Sequence, residues 1–245
     1  EGMMTRADLL MMAGVSLACA TLVRAAGDSD SSRAAPDSSP ADSTIERFLQ
    51  SEGPEPSSYT ARRRLTVSTM GGRMRAELEA WTYLDPDGTF RFDVIRQDGS
   101  DLLRARVLVA ALEKEQRSHN QGEGAQAALT RANYDFALVG RGPDGLLSIR
   151  LIPKRQSPML LDGSVLVRPG TGDLVRIDGR LSQPPSWWTR QVDIVRQYSR
   201  IHGIRVPTAM TSQAEARIAG AASFAMTYHY TTINGQAVEA GANGD

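Results

Sequence analysis

Between Tyr59 and Ala240 apolar residues recur at alternate positions, and this rhythm limits the possible folds more than any other feature of the chain. A period of two fits extended chain, because successive Cβ atoms of a strand point to opposite faces. From Arg73 to Leu84, Met74, Ala76, Leu78, Ala80, Thr82 and Leu84 share one face, while Arg75, Glu77, Glu79 and Trp81 take the other. Phe90, Phe92 and Val94 then oppose Arg91 and Asp93. Between the two runs lies Asp85-Pro86-Asp87-Gly88, in which Pro presets the first φ and Gly accepts a left-handed conformation, so a hairpin is expected. The same grammar returns at Arg141-Gly142-Pro143-Asp144-Gly145 and at Pro169-Gly170-Thr171-Gly172-Asp173. Strands are expected near residues 59–70, 73–84, 89–97, 133–140, 146–153, 160–168, 174–182, 188–200, 204–218 and 222–233. Short turns between most neighbours make this an antiparallel meander.

One helix interrupts the strands. Ser100 or Asp101 can cap a run whose stripe is Leu103, Val107, Ala110 and Ala111, with Arg104, Arg106, Glu113 and Lys114 mainly outside it. A polar loop over 118–124 ends it, and a shorter helical piece is expected over Ala125 to Ala132. The long helix falls between the third and fourth strands, so it must cover one face of the sheet. An antiparallel sheet of about ten strands under a single helical cover tends to curl. The expected class is therefore all-β dominated (α+β), a curled antiparallel half-open barrel with a helical cover over residues 59–240.

Particular phrases carry a family resemblance. Leu160-Leu161-Asp162-Gly163-Ser164-Val165-Leu166-Val167 leads into Gly172-Asp173-Leu174-Val175-Arg176-Ile177-Asp178-Gly179-Arg180-Leu181, and Ile201-His202-Gly203-Ile204-Arg205-Val206-Pro207 precedes two strands that end in Tyr228-His229-Tyr230. With a secretory leader and an inserted helix, this order resembles the outer-membrane lipoprotein-sorting superfamily over roughly residues 59–235. The resemblance implies a half-open barrel with a helical lid, and a carrier of acylated lipoproteins or lipids across the periplasm. It rests on strand order and turn phrases, so it transfers no functional residue. The fold alone does not settle the role, since related barrels include ligand binders and an enzyme.

The residues themselves suggest where a ligand would lie. If the helix covers the face holding Met74, Leu78, Phe90, Phe92 and Val94, the matching positions on later strands include Phe136, Val175, Phe224, Met226 and Tyr228. An acyl chain needs such an apolar concavity, because each methylene removed from water contributes about 0.8 kcal/mol. Met suits irregular ligands, being flexible and polarizable. The other reading is that the same residues pack against the helix as an ordinary core. The candidate apolar site is thus Met74, Leu78, Phe90, Phe92, Val94, Phe136, Phe224, Met226 and Tyr228, with lipid or lipoprotein acyl chains as the expected partners. A packed module that assembles with another envelope protein remains the alternative. A periplasmic enzyme is a third reading, and it requires two or more of Tyr134, Tyr228, His229, Asp178 and Arg176 to converge in the cavity with shifted pKa values.

Other chemistry is disfavoured. With 28 Lys+Arg against 28 Asp+Glu there is no basic excess to neutralise phosphates, so no nucleic-acid partner is expected. A single cysteine rules out an internal disulfide framework and any multi-Cys metal site. Gly140-Arg141-Gly142-Pro143-Asp144-Gly145 spells a dinucleotide fingerprint but stands between two strands, with Pro where a helix should begin. His119, His202 and His229 fall on a loop, a turn and a strand. No catalytic residue, metal or cofactor is assigned, and a monomer is expected. Arg62-Arg63-Arg64, with Arg73 and Arg75, forms a basic cluster that either meets lipid phosphates or an acidic partner, or is a solvated face offset by Glu77 and Glu79. Trp187-Trp188 after Pro184-Pro185 should bury one indole and half-expose the other.

The N-terminal part reads as leader and linker. Arg6 precedes an apolar run of about 15 residues from Leu9 to Val23, followed by small residues, as in a secretory signal over 1–26. Cleavage after Ala25 yields a periplasmic protein, and the alternative is a lipoprotein anchored through Cys19. Residues 27–58 carry seven acids against two bases, a net of minus five, and too few apolar groups to offset ordering entropy. They are expected as a disordered acidic linker in which only Ile45-Glu46-Arg47-Phe48-Leu49 adds a helical turn docked on the domain. Residues 1–26 sum to zero and the whole chain sums to zero, so the domain beyond the linker carries plus five. Residues 241–245 are expected as a flexible tail.

Overall fold

The computed structural model describes residues 40–51, 53–121, 126–187, 189–216 and 220–239. The expected leader, residues 27–39 of the expected linker, Cys19, Trp188 and the 241–245 tail lie outside them. The chain runs through α1 (Pro40–Gln50), β1 (Tyr59–Thr69), β2 (Met74–Leu84) and β3 (Phe90–Gly99). A helical rod, α2, follows, made of an α-turn at Asp101–Leu103, a π-helical segment at Arg104–Val109 and an α-helix at Ala110–Asn120. Then come β4 (Tyr134–Arg141), β5 (Leu147–Pro153), β6 (Leu161–Val167), β7 (Leu174–Leu181), β8 (Thr189–Ile201), β9 (Ile204–Ala216), β10 (Gly220–Ile233) and the short β11 (Gln236–Ala237).

All the strands form one antiparallel sheet in the order β3-β2-β1-β10-β9-β8-β7-β6-β5-β4, with β11 beside β10. The alternation read from the sequence sets the inner face directly. Ala61, Leu65 and Val67 on β1 stand in register with Thr82, Leu78 and Ala76 on β2, and all six are buried. What local pattern does not show is the pairing of β1 with β10, which brings the two ends of the meander together. The sheet consequently opens between β3 and β4, where the chain leaves it to build α2. Each of these edge strands carries a bulge, at Ile95 and at Val139, and both bulged side chains are exposed. Bulges and short edges hinder pairing with another sheet.

The two helices close the open side from different directions. α2 lays Leu103, Val107, Leu108, Ala111 and Leu112 into the core. The expected stripe is corrected here: Ala110 turns partly outward, and Leu108, Leu112, Glu115 and Ser118 are buried instead. The π segment supplies the reason, because its wider turn rotates the following residues relative to a 3.6-residue period. Ser100 makes no side-chain cap, and the shorter helical piece reduces to a 3₁₀ turn at 126–127.

The helical turn expected at Ile45–Leu49 within the 27–58 linker is the docked part of a longer helix, α1, at Pro40–Gln50. There Ile45 and Phe48 enter the core, and Phe48 meets Phe136 edge-on with ring centroids 6.0 Å apart. Gly172, at φ +75°, lies so close beneath α1 that a Cβ would come 2.8 Å from the Arg47 and Phe48 backbone. The Ser51 hydroxyl donates to the Gly172 carbonyl at 2.8 Å, and Arg131 pairs with Glu46. Apolar burial and these ties offset the polar composition that made the segment read as unstructured.

Candidate functional site

Of the nine candidate residues, Leu78, Phe90, Phe224, Met226 and Tyr228 are buried in one continuous core cluster. Met74, Phe92, Val94 and Phe136 pack against that cluster but are only half-buried. Phe92 and Val94 stand opposite Thr82 and Ala80, and Phe136 and Leu138 opposite Leu151 and Ile149. All four register partners are buried, so these side chains share the inner face. They lie on the two edge strands, so the inner face is only partly covered along the seam between β3 and β4. Val175 does not belong to this face. A bulge at Leu166/Val167 sets Leu174 opposite Val167, and Ile177 stands opposite Val165, so Leu174 and Ile177 are buried.

A polar group sits within this apolar surface. Arg63 is in phase with Ala61, Leu65 and Val67, and its side chain enters the concave side with 1% exposure. Nη1 donates to Oε2 of Glu115 on α2 at 2.6 Å, and Nη2 donates to the Tyr59 hydroxyl at 2.9 Å. The guanidinium carbon lies 4.5 Å from the Tyr228 ring centroid and 5.3 Å from that of Phe90. Nε has no hydrogen-bond partner among the described residues. Burial works against the charge, but attraction from Glu115, Tyr59 and Tyr228 outweighs it and holds the guanidinium protonated well above its ordinary range. Arg63 therefore does not belong to a solvated basic cluster. Its neighbour Arg64 does face out, pairing with Glu77 at 2.8 Å.

The rest of α2's C-terminal turn is stitched to the start of β3. Asn120 accepts the Phe90 N–H at 3.0 Å through its side-chain oxygen, and the Gln116 amide donates to the Phe90 carbonyl at 3.1 Å. His119 rests against the Phe90 ring, with centroids 6.0 Å apart. Burial pushes its imidazole below the ordinary value, opposed by Glu115 and assisted by Arg63.

Sequence reasoning missed Arg63, Glu115, Tyr59 and His119 as one group. Two signals were present: an arginine at an inward phase of β1, and a glutamate four residues after Ala111 on the apolar stripe of the helix. Of the residues that the enzyme reading required, only Arg176 and Asp178 meet, and they do so out of phase with the inward Leu174 and Ile177 rather than on the concave side. The Tyr134 hydroxyl is spent accepting the Leu161 N–H at 3.0 Å, Arg176 pairs with Asp178 at 2.7 Å, Tyr228 points inward and His229 outward. Among the described residues no group of three or more His, Cys, Asp or Glu side chains comes together in a way that could hold a metal ion. Trp187 is 71% exposed. No helix among the described residues is long and apolar enough to cross a membrane.

No family model matches the chain, and no curated protein matches it. Several solved structures are similar to it. One is a DUF1329 family protein from Desulfovibrio piger, 12% identical, covering 78% of this chain and 92% of its own, with a TM-score of 0.41. A LolA superfamily protein from Nitrosomonas europaea is 14% identical and covers 77% and 90%, with a TM-score of 0.37. An outer membrane lipoprotein-sorting protein domain from Vibrio parahaemolyticus is 9% identical and covers 82% and 93%, with a TM-score of 0.40. Two of these three structures carry the name of the superfamily that the 160–181 and 201–230 phrases resemble.

Proposed function

We propose that the domain is a periplasmic carrier or binding protein that takes an acyl chain, from a lipid or a lipoprotein, onto its concave face. The observation that carries this reading is the seam: Phe92, Val94, Phe136 and Leu138 line the inner face yet remain half-exposed, because among the described residues no strand joins β3 to β4. α2 covers that side without being part of the sheet, held by side chains and by one strand-like bond from the Ser100 N–H to the Arg75 carbonyl. Movement of α2 off the core would expose Leu78, Phe90, Phe224, Met226 and Tyr228 together. Binding energy would come from apolar burial and selectivity from polar groups beside it.

The complete burial of those five residues favours a second reading, a packed module that assembles with another envelope protein. Native mass spectrometry of the mature protein, before and after denaturation, separates the two. An acyl-bearing species lost on denaturation supports the carrier, and the same spectra read the N-terminal mass that distinguishes cleavage after Ala25 from a lipidated Cys19. Phe92→Asp, half-buried at the seam, should abolish uptake of a fluorescent fatty acid while the protein stays folded. Unchanged uptake by that variant, or an empty wild-type protein that refuses the probe, would leave the packed module standing.

A further inference from the structure

We infer that Arg63 is the receptor for an anionic headgroup, so that the concave face takes amphiphiles ending in a carboxylate or phosphate in preference to neutral ones. The inference rests on the carrier reading and names the ligand class of that same face. The guanidinium lies between the Phe90 and Tyr228 rings, beside Met226, inside the apolar surface that the acyl chain would occupy. A carrier that needed only an apolar floor would have no use for a fully buried, permanently charged group there. Arginine cannot shed its proton at physiological pH, so every conformation of the protein must provide the charge with a partner.

In the closed form the partner is Glu115, and it comes from the covering helix rather than from the sheet. When α2 moves away, Glu115 leaves with it. Tyr59, on the same strand as Arg63, remains in place as an acceptor for Nη2. Nη1 is then freed, and beside it at the outer end of the guanidinium stands Nη2, which carries a second N–H besides the one it gives Tyr59. Two adjacent N–H groups of a guanidinium fit a carboxylate or phosphate in fork geometry. Glu115 thus stands where the ligand's anion would stand, and exchange of one for the other keeps the buried site neutral. A neutral headgroup would leave the charge unmatched, which is the source of the selectivity.

The test measures competition by three compounds against a fluorescent fatty acid: oleate, oleyl alcohol and acetate. They separate the anion with its chain from the chain alone and from the anion alone. Wild-type protein should bind oleate at least about tenfold more tightly than the alcohol, and acetate undetectably. Glu115→Gln, which keeps the shape and one acceptor but not the charge, should strengthen oleate binding severalfold. The double variant Arg63→Met/Glu115→Leu should still bind the alcohol and lose the preference. Equal binding of oleate and alcohol by the wild type, or a preference surviving in the double variant, overturns the inference and leaves the carrier reading intact. Binding of neither chain overturns both, and binding of acetate as tight as oleate reduces the site to one for small anions. Should Glu115→Gln fail to fold, the wild-type comparison decides alone.

Discussion

Replacing Glu115 by Leu removes the carboxylate that Arg63 Nη1 reaches at 2.6 Å, while the guanidinium stays at 1% exposure with its charge intact. Breaking a buried pair from one side costs about 3–5 kcal/mol, since the remaining charge is desolvated without compensation. Here the Tyr59 hydroxyl and the Tyr228 and Phe90 rings persist, and a desolvated cation–π contact is worth up to about 2 kcal/mol, so the lower end is expected. A loss of about 3 kcal/mol corresponds to a fall in Tm of about 6–12 °C for a domain of this size. Arg63→Met together with Glu115→Leu removes both charges and their desolvation, and should lie within about 1 kcal/mol of wild type or above it. Urea unfolding followed by circular dichroism on the wild type, both single variants and the double variant gives the coupling energy, expected at about 2 kcal/mol or more. Additive single effects, or a Glu115→Leu variant within about 0.5 kcal/mol of wild type, would refute the claim that this pair is a buried, coupled unit holding α2 to the sheet.

Four further outcomes are expected. Gly163→Ala would set a Cβ 2.1 Å from the Asp178 carbonyl oxygen, forcing β6 and β7 apart; its urea midpoint should reflect a loss of about 2–4 kcal/mol, against a milder effect for Gly179→Ala, whose Cβ would meet its nearest atom at 3.1 Å. Tyr134→Phe leaves the buried Leu161 N–H without its acceptor and should lower stability by about 1–3 kcal/mol in the same assay. Phe48→Ala should cost about 3 kcal/mol and raise hydrogen exchange across 40–50 with little change in β8 to β10, because α1 is tied to β4 and the β6–β7 turn. Burial lowers the His119 pKa in the folded state, so the unfolded chain takes the proton first as pH falls; stability should be level above about pH 6.5 and decline below it, and His119→Gln should flatten that decline in melts between about pH 7 and 5.

The strands were readable because each needs only a local rule. Alternation from Met74 to Leu84 and the Asp85-Pro86-Asp87-Gly88 turn act within a few residues, and the hairpin forms with the Asp85 N–H donating to the Thr89 carbonyl at 2.9 Å. Five of the nine candidate site residues proved to be core, since an apolar residue on an inward phase looks the same whether a helix or a ligand covers it. Of α1 only the turn at Ile45–Leu49 was legible, because the contacts that hold the whole helix, to Phe136 and Gly172, lie far along the chain. Arg63 escaped because two flanking arginines made it read as surface charge.

By itself, then, the sequence determined the extended backbone, the inward face of nearly every strand, the positions of the turns and the insertion of one long helix between the third and fourth strands, all through steric and hydrophobic preferences acting over short spans. Only the tertiary structure decided that β1 pairs with β10, that the seam therefore opens between β3 and β4, and that Arg63 on the inner face of β1 meets Glu115 on the covering helix. Those outcomes join residues 52 or more positions apart. A charge becomes a buried receptor or a solvated ornament according to what the rest of the chain places over it, and no local rule contains that information.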